Sequence, residues 1–458
     1  MEELDFAGCA CAGGTLQRFV QPVIMGLLAH GAQHGYALLQ GLRALPLWEG
    51  AVPDQTGVYR LLKSMEARGL LTAAEEAGLT TGRRRYALTE RGRACLAQWE
   101  TTLEDYRRTL DATLMLVREA NHMDRAFTQL VERVAREALA GRIPVAADLE
   151  ALLEVPADSA EAAFLGRRAR DMARQTAKNH GRVWSAIGVD CRPCPMNCGF
   201  CSFGEKWGLV RAPQEWSAPR IVETARRFVA QGAYWVTLRT TEFYSLEKLL
   251  DFVRRLRREV PGSYRVVVNT GELEAADARA LAAAGVNVVY HTLRLGEGET
   301  TGFKTATRLD TLGTVRGSSL DLAHLVEPVG PEHGNKELVA VLLTALRYEA
   351  RLCGVMARIN VPGTPCGDRA GTGPDAELSP QRLAQIAAVT RLAGGVRTPD
   401  ICVHPPTLQA LNWGANVLVV ETGAVPRDVA ESDTDWRAFG VEDALSLLLE
   451  AGYALGGD

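Results

Sequence analysis

Eight short apolar runs, separated by helical stretches of about 12–16 residues, occupy the second part of this chain. They lie at 183–190, 233–240, 264–271, 286–294, 320–328, 354–361, 399–405 and 417–422. Strands alternating with helices at this spacing build parallel sheets, because each crossover must pass over a sheet face. Eight such units predict an α/β (β/α)8 barrel of the TIM type, whose chemistry sits at the C-terminal ends of the strands. At 458 residues the chain is too long for one average domain, and a second folded unit is expected ahead of the barrel.

Directly after the first run comes Cys191-Arg-Pro-Cys194-Pro-Met-Asn-Cys198-Gly-Phe-Cys201-Ser-Phe203, four cysteines within eleven residues. Cys194, Cys198 and Cys201 stand in the spacing C-x3-C-x2-C, with Phe200 just before the last. Three thiolates on one short loop hold three irons of a [4Fe–4S] cube and leave the fourth iron open. A zinc knuckle or a disulfide pair is the alternative. Zinc favours two separated cysteine pairs, and no second pair follows at zinc-ribbon distance, so the cluster reading is preferred. Cys191 falls outside the spacing.

This loop resembles the signature of the radical S-adenosylmethionine (radical SAM) enzymes. The resemblance implies that the methionyl amine and carboxylate bind the open iron and that Phe200 packs near the adenine. It further implies that one electron, from a flavodoxin- or ferredoxin-type donor, cleaves SAM to a 5′-deoxyadenosyl radical. Within that family, residues 140–425 are similar to the biotin synthase, methylornithine synthase and [FeFe]-hydrogenase maturase subgroup. The carriers are Ala284-Gly285-Val-Asn-Val-Val-Tyr-His291, Arg308-Leu-Asp-Thr-Leu312, Asn360-Val-Pro-Gly-Thr-Pro365 and Gly414-Ala415-Asn416. The resemblance places Arg308 on the SAM carboxylate, where a guanidinium fork suits a carboxylate. Thr240 and Thr241 occupy the place of a Gly-Gly-Glu stretch whose backbone pairs with the methionyl amine. Arg294 falls at a polar SAM contact. Glu297 and Glu299 either hold the ribose or are solvated, the latter preferred. Two helices within 136–182 match the subgroup's lead-in to the barrel.

Polar residues at the strand ends are the substrate candidates: Arg239, Asn269, Tyr290, His291, His324, Glu327, Arg358, Asn360, Cys402 and His404. A lone polar group on a barrel strand is more often a satisfied core group, and several together suggest a site. They predict a small polar, carboxylate-bearing substrate with Arg239 and Arg358 as anion clamps. One departure from the subgroup matters. Biotin synthases hold a second cluster on three cysteines and an arginine, and the corresponding places here are near Leu238, Val268, Leu322 and Cys402. Only the last is a cysteine, so sulfur insertion from a second cluster is not expected. Cys402 either quenches a substrate radical or packs, and packing is preferred.

Ahead of the barrel, residues 1–14 read as a flexible lead carrying Cys9 and Cys11. Residues 15–120 read as helices at 16–28, 35–42 and 55–71, then strands at 70–72 and 84–89, with Gly69 ending the third helix and Thr89 capping the next. His34-Gly35-Tyr36, Gly57-Val-Tyr-Arg-Leu-Leu62, Gly69-Leu70-Leu71 and Gly82-Arg-Arg-Arg-Tyr86 resemble the PadR-type winged helix-turn-helix. That resemblance implies a third helix entering the major groove, a wing on phosphates, and a homodimer. Residues 1–120 hold 13 Lys+Arg against 14 Asp+Glu, a balance of −1, so only Arg83–Arg85, Arg60 and Lys63 are placed to neutralise phosphate. DNA contact and a reused dimerisation or substrate-binding module therefore both stand. Residues 121–182 form a helical linker and lead-in, and 183–458 the barrel.

The net charge of −4 gives no global pull toward nucleic acid or anionic membrane. No apolar run approaches the ~18–20 residues of a membrane span, and the acidic start Met1-Glu-Glu-Leu-Asp is unlike a signal peptide. Clustered cysteines suit a reducing, cytoplasmic setting. The expected function is hydrogen abstraction from, or rearrangement of, a small polar molecule in cofactor or small-molecule biosynthesis. The rival is a PadR-type regulator whose barrel senses SAM, iron or redox state.

Overall fold

The computed structural model describes residues 19–45, 54–75, 84–122, 124–370, 376–428 and 432–456. Cys9, Cys11 and Arg83, with the expected lead at 1–14, lie outside the described residues. The chain divides into two units, Met1–Val117 and Arg118–Asp458.

In the first unit, α1 (Val20–Ala29), α2 (Gly35–Ala44) and α3 (Gln55–Ala67) enclose one apolar core. Val58, Leu62 and Met65 of α3 recur at helical spacing and are buried against Ile24, Met25, Leu38, Leu39 and Leu42. Asp54 caps α3 by accepting from the Gly57 amide at 2.7 Å, and Gly69 at φ +71° ends it in the left-handed conformation that glycine tolerates. Strand β2 (Leu71–Glu75) pairs antiparallel with β3 (Arg84–Leu88). A third strand, β1 (Gln33–His34), adds to the other edge of β3; it was not expected, because two polar residues carry no strand periodicity. Thr89 caps the long α4 (Glu90–His122) through the Gly92 amide at 2.9 Å.

The second unit begins with α5 (Arg125–Leu139), α6 (Ala146–Glu154) and α7 (Ala160–Thr176). Asp124 accepts from the Ala126 amide at 2.9 Å and starts α5 as a helix separate from α4. The barrel opens with β4 (His180–Gly188), followed by the short pair β5 (Asp190–Cys191) and β6 (Gln214–Glu215). Then come α8 (Ala218–Gln231), β7 (Trp235–Arg239), α9 (Leu246–Glu259), β8 (Arg265–Asn269), α10 (Ala275–Ala284), β9 (Val288–Tyr290) and α11 (Thr305–Arg316). The fifth stave is two pieces, β10 (Asp321–Ala323) and β11 (Val326–Val329), and α12 (Asn335–Arg347) follows. Completing the ring are β12 (Leu352–Ala357), α13 (Pro365–Ala370), α14 (Pro380–Gly394), β13 (Asp400–His404), α15 (Leu408–Asn412), β14 (Val417–Gly423), α16 (Val441–Glu450) and β15 (Ala454–Leu455).

The staves are all parallel in the order β10-β9-β8-β7-β4-β14-β13-β12, and the β10–β12 pairing closes the ring. All eight expected runs are present. The fourth is cut to Val288–Tyr290 because the chain after it leaves the sheet, with Leu295 donating to the Glu327 carbonyl at 2.8 Å. The first begins earlier, at His180, where β15 pairs with it.

Alternation along the staves separates two packed layers. Val236, Leu238, Val266, Val268 and Leu322 belong to the large core shared with the helices. Trp184, Trp235, Val267, Val288, Ala323 and Cys402 form the interior plug of the barrel. Three of the places read as second-cluster positions, Leu238, Val268 and Leu322, thus face outward. The inward residues beside them are Thr237, Arg239, Val267, Asn269 and Ala323, and none is a cysteine.

Candidate active site

The cysteine loop leaves β4 at the C-terminal mouth of the barrel and is held from three directions. Its own turn is closed by the Cys194 amide on the Phe203 carbonyl at 2.6 Å and the Cys201 amide on the Cys198 carbonyl at 2.9 Å. The loop after β9 grips it through the Gly199 amide on Thr300 and the Gly302 amide on Met196, both at 2.7 Å. The loop after β14 accepts the Ser202 amide on the Pro426 carbonyl at 2.9 Å. A backbone with its hydrogen bonds satisfied in this way presents its side chains in fixed directions. Cys194, Cys198 and Cys201 all face one cavity, together with Phe200, Phe203 and Phe303. Burial pushes the Cys198 thiol up to about 11 and the Cys201 thiol up to about 12. Cys191 lies in β5 and does not line the cavity.

Beside the thiols stands a set of polar groups. Arg294 places Nη1 3.6 Å from the Cys198 sulfur. Arg308 is buried; it donates to Glu272 Oε1 at 2.9 Å and to the Thr292 carbonyl at 3.0 Å, while its Nε has no hydrogen-bond partner. Thr240, Thr241 and Glu242 line the same wall. The Thr241 amide and hydroxyl both donate to Asp190, the amide at 2.8 Å. The Thr240 amide donates to the Asn269 carbonyl at 2.9 Å. Burial and the neighbouring Glu272 push the Glu242 carboxyl up to about 7 against the pull of Arg308. Glu297 is corrected: it is not solvated, its side chain is 2% exposed, and it accepts from the Arg294 amide at 3.0 Å and from Thr301. Glu299 is exposed.

Of the substrate candidates, Arg239, Asn269, Tyr290, Glu327 and Arg358 line the cavity. The other five do not. His291 is buried in the wall with Nε2 3.3 Å from Glu272. His324 sits at the break between β10 and β11, where Nε2 accepts from the Leu293 amide at 3.1 Å. His404 stacks on Trp436 at 5.9 Å between ring centres. Cys402 lies in the apolar interior plug, where burial pushes its thiol up. Asn360 donates to the Ala376 carbonyl at 2.9 Å and accepts from Arg358. The two expected anion clamps each carry a counter-charge: Arg239 is paired with Glu421, and Arg358 with Glu332.

The sequence reading missed Glu421, Arg427, Glu272, Phe303 and Trp184. Glu421 had a signal: a carboxylate interrupting the apolar run Val417-Leu-Val-Val. Arg427 had none, since its place is set by how the chain returns after β14.

His324 and His404 give the fold a pH dependence. Burial holds both imidazoles down to about 3, helped at His404 by Arg427. In the unfolded chain they titrate near ~6.5. The stability from their neutral form is therefore complete above about pH 6.5 and is lost as pH falls toward 3, roughly 2 kcal/mol per imidazole by about pH 5. Urea midpoints should drop between about pH 7.5 and pH 5, and His404→Gln should lose about 2 kcal/mol less than wild type over that interval. An unchanged slope in the variant would refute the assignment.

Comparison with known proteins follows the same division. Residues 24–98 match the model of the transcriptional regulator PadR-like family. Over 74% of this chain and 78% of that one, the structure is similar to the [FeFe]-hydrogenase maturase HydG, at 15% identity and a TM-score of 0.59. Methylornithine synthase (PylB) is similar over 71% of this chain and 97% of its own, at 17% identity and a TM-score of 0.57. The HydG of Carboxydothermus hydrogenoformans is similar over 74% and 83%, at 14% identity and a TM-score of 0.56. The barrel shares its fold with these proteins. A search of curated proteins found no match. Identities this low show a shared fold and leave the reaction to the residues of the cavity.

In the PadR-like unit, α3 exposes Gln55, Thr56, Tyr59, Arg60 and Lys63 on one face. The wing arginines are corrected: Arg84 pairs with Glu66 at 3.1 Å and Arg85 donates to the Ala32 carbonyl at 3.0 Å, so both are engaged within the unit. Among the described residues no helix is long and apolar enough to cross a membrane.

Proposed function

We propose that this chain is a radical SAM enzyme acting on a small polar substrate in a reducing, cytoplasmic setting. The observation that carries the reading is the convergence of Cys194, Cys198 and Cys201 on one cavity at the barrel mouth. Three thiols facing one cavity can ligate metal as thiolates, and binding would release their protons. These three residues would hold a [4Fe–4S] cluster. Phe200, Thr240, Thr241, Arg294 and Arg308 would surround SAM, with the Arg308 guanidinium fixed by Glu272 and Glu297. When bound, the cluster and SAM supply a 5′-deoxyadenosyl radical from one electron delivered by a flavodoxin- or ferredoxin-type donor. The chain's own residues orient the substrate hydrogen and exclude water. Phe200, Phe203 and Phe303 give the thiol end apolar walls, which strengthens every electrostatic contact inside.

In functional terms the working division is 15–120 for the winged unit, 121–182 for the lead-in and 183–458 for the barrel. The deciding experiment is anaerobic reconstitution with iron and sulfide, addition of SAM and dithionite, and a search for 5′-deoxyadenosine. Product is expected; its absence from cluster-loaded protein would sink the enzyme reading.

The PadR-like match favours a second role, contact with DNA through the winged unit. Arg60 and Lys63 on the exposed face of α3 are its phosphate contacts. Promoter DNA should show a salt-dependent mobility shift, and Arg60→Ala with Lys63→Ala should flatten the salt slope by about two units. Equal binding by the double variant would return the winged unit to a dimerisation or partner-binding role.

A further inference from the structure

One wall of the barrel cavity carries charges that the cluster and SAM reading does not use. Arg239, the last residue of β7, reaches across β4 to β14, where Nη1 donates to Glu421 Oε1 and Nη2 to the Ala424 carbonyl at 2.6 Å. The reach is possible because β4 carries the small Ala186 in that layer, paired with Thr237 on one side and Glu421 on the other. Arg427, on the loop after β14, donates to the second oxygen of the same carboxylate. Glu421 is therefore shared by two guanidiniums, and the Nε of each has no hydrogen-bond partner. Arg239, Glu421 and Arg427 all line the cavity, with side chains 12%, 2% and 14% exposed.

Two guanidiniums on one carboxylate leave one positive charge in surplus. The neighbouring groups do not cancel it. His404, 3.7 Å from Glu421, is neutral. Glu327 accepts the Tyr290 hydroxyl and forms no ion pair with either guanidinium, both of which are paired with Glu421. Arg358 is matched by Glu332. A buried carboxylate needs only one forked partner, and a second buried cation without its own counter-charge is costly. The surplus has a use if a monoanion completes the site. A phosphate dianion would overshoot by one charge next to Glu421, whereas a carboxylate balances the wall.

The inner end of the cavity is apolar. Trp184 and Tyr290 meet edge to face at 5.2 Å, and Met356 and Val419 complete the surface. The Trp184 indole N–H is already donated to Thr237, so its ring presents only carbon to a ligand. We propose that Arg239 and Arg427, held in place by Glu421, bind the carboxylate of a small monoanionic substrate whose apolar part rests on Trp184, Tyr290 and Met356. That this ligand is the substrate rests on the radical SAM reading; that it is a carboxylate rests on the wall alone.

The test is calorimetry on the full-length protein with benzoate and 3-phenylpropionate against their uncharged amides, benzamide and 3-phenylpropionamide. At least one acid is expected to bind about tenfold or more tightly than its amide. Arg427→Gln should erase that preference, and Arg279→Gln, on the exposed face of α10, should keep it. If Arg427→Gln fails to fold by circular dichroism, Arg239→Gln takes its place. Acids that bind no better than their amides, or a folded variant that retains the preference, would overturn the proposal. A failure of the radical SAM reading appears separately, in the 5′-deoxyadenosine assay, and leaves the calorimetric preference intact.

Discussion

Cys198→Ala should reduce 5′-deoxyadenosine formation to the background of cluster-free protein, a loss of about three orders of magnitude or more. Cys198 stands between Asn197, held at φ +46°, and Gly199, whose amide is tied to Thr300. Its sulfur faces the cavity with Arg294 Nη1 at 3.6 Å. Two thiolates cannot hold a cube that needs three, and among the described residues no neighbouring cysteine takes over. Cys191 is in β5 and Cys366, though packed against Gly199, does not line the cavity. The variant should therefore lose iron and its thiolate-to-iron charge-transfer absorption together with product. Cys402→Ala is the matched control. Its side chain is fully buried in the apolar plug, so the substitution should cost about 1 kcal/mol of stability through lost packing and leave iron content unchanged. Wild-type iron and product in Cys198→Ala, or loss of iron in Cys402→Ala, would show that the cluster is held elsewhere.

The barrel was legible because its signal is repetitive. Eight runs at regular spacing constrain topology even when single boundaries shift, and the boundaries that shifted did so for local reasons. The fourth stave ended early where the chain peels off to approach the thiols. The first began early where β15, two residues far away in sequence, pairs with it. The cysteine loop was legible because its chemistry lies in one short segment. The cavity wall was not, because face assignment on a strand turns on a single residue of register. Arg239 and Asn269 are on the expected face, whereas Leu238 and Val268, read as the places of a second cluster, face outward, and Cys402 packs in the apolar plug. Pairing was still less visible. Arg239 and Glu421 are 182 residues apart in sequence and meet only because β7 and β14 flank β4. A reading that takes residues one at a time sees a cation available to substrate, whereas the fold shows a cation already shared with a carboxylate.

Gly188→Ala should be among the most damaging single-methyl changes in the barrel, costing about 3 kcal/mol or more. Gly188 ends β4 opposite Gly423 on β14 and Arg239 on β7. A Cβ there would lie 2.0 Å from the Ala424 carbonyl oxygen and 2.5 Å from its amide nitrogen. Both are backbone atoms, so no rotamer relieves the clash, and the chain after β14 must move outward. That segment carries three of the contacts on which the site depends: the Ala424 carbonyl on Arg239, the Pro426 carbonyl on Ser202, and the Arg427 guanidinium on Glu421. Stability and SAM cleavage should therefore fall together. Gly313→Ala separates this effect from the general one of removing a glycine. Gly313 lies in α11 with nothing within 4 Å of its virtual Cβ, and alanine there should stabilise by about 0.5–1 kcal/mol. Denaturant midpoints for the two variants should move in opposite directions. A Gly188→Ala midpoint within about 0.5 kcal/mol of wild type would mean that the β14 segment is not the fixed wall on which the cysteine loop, Arg239 and Arg427 are assembled.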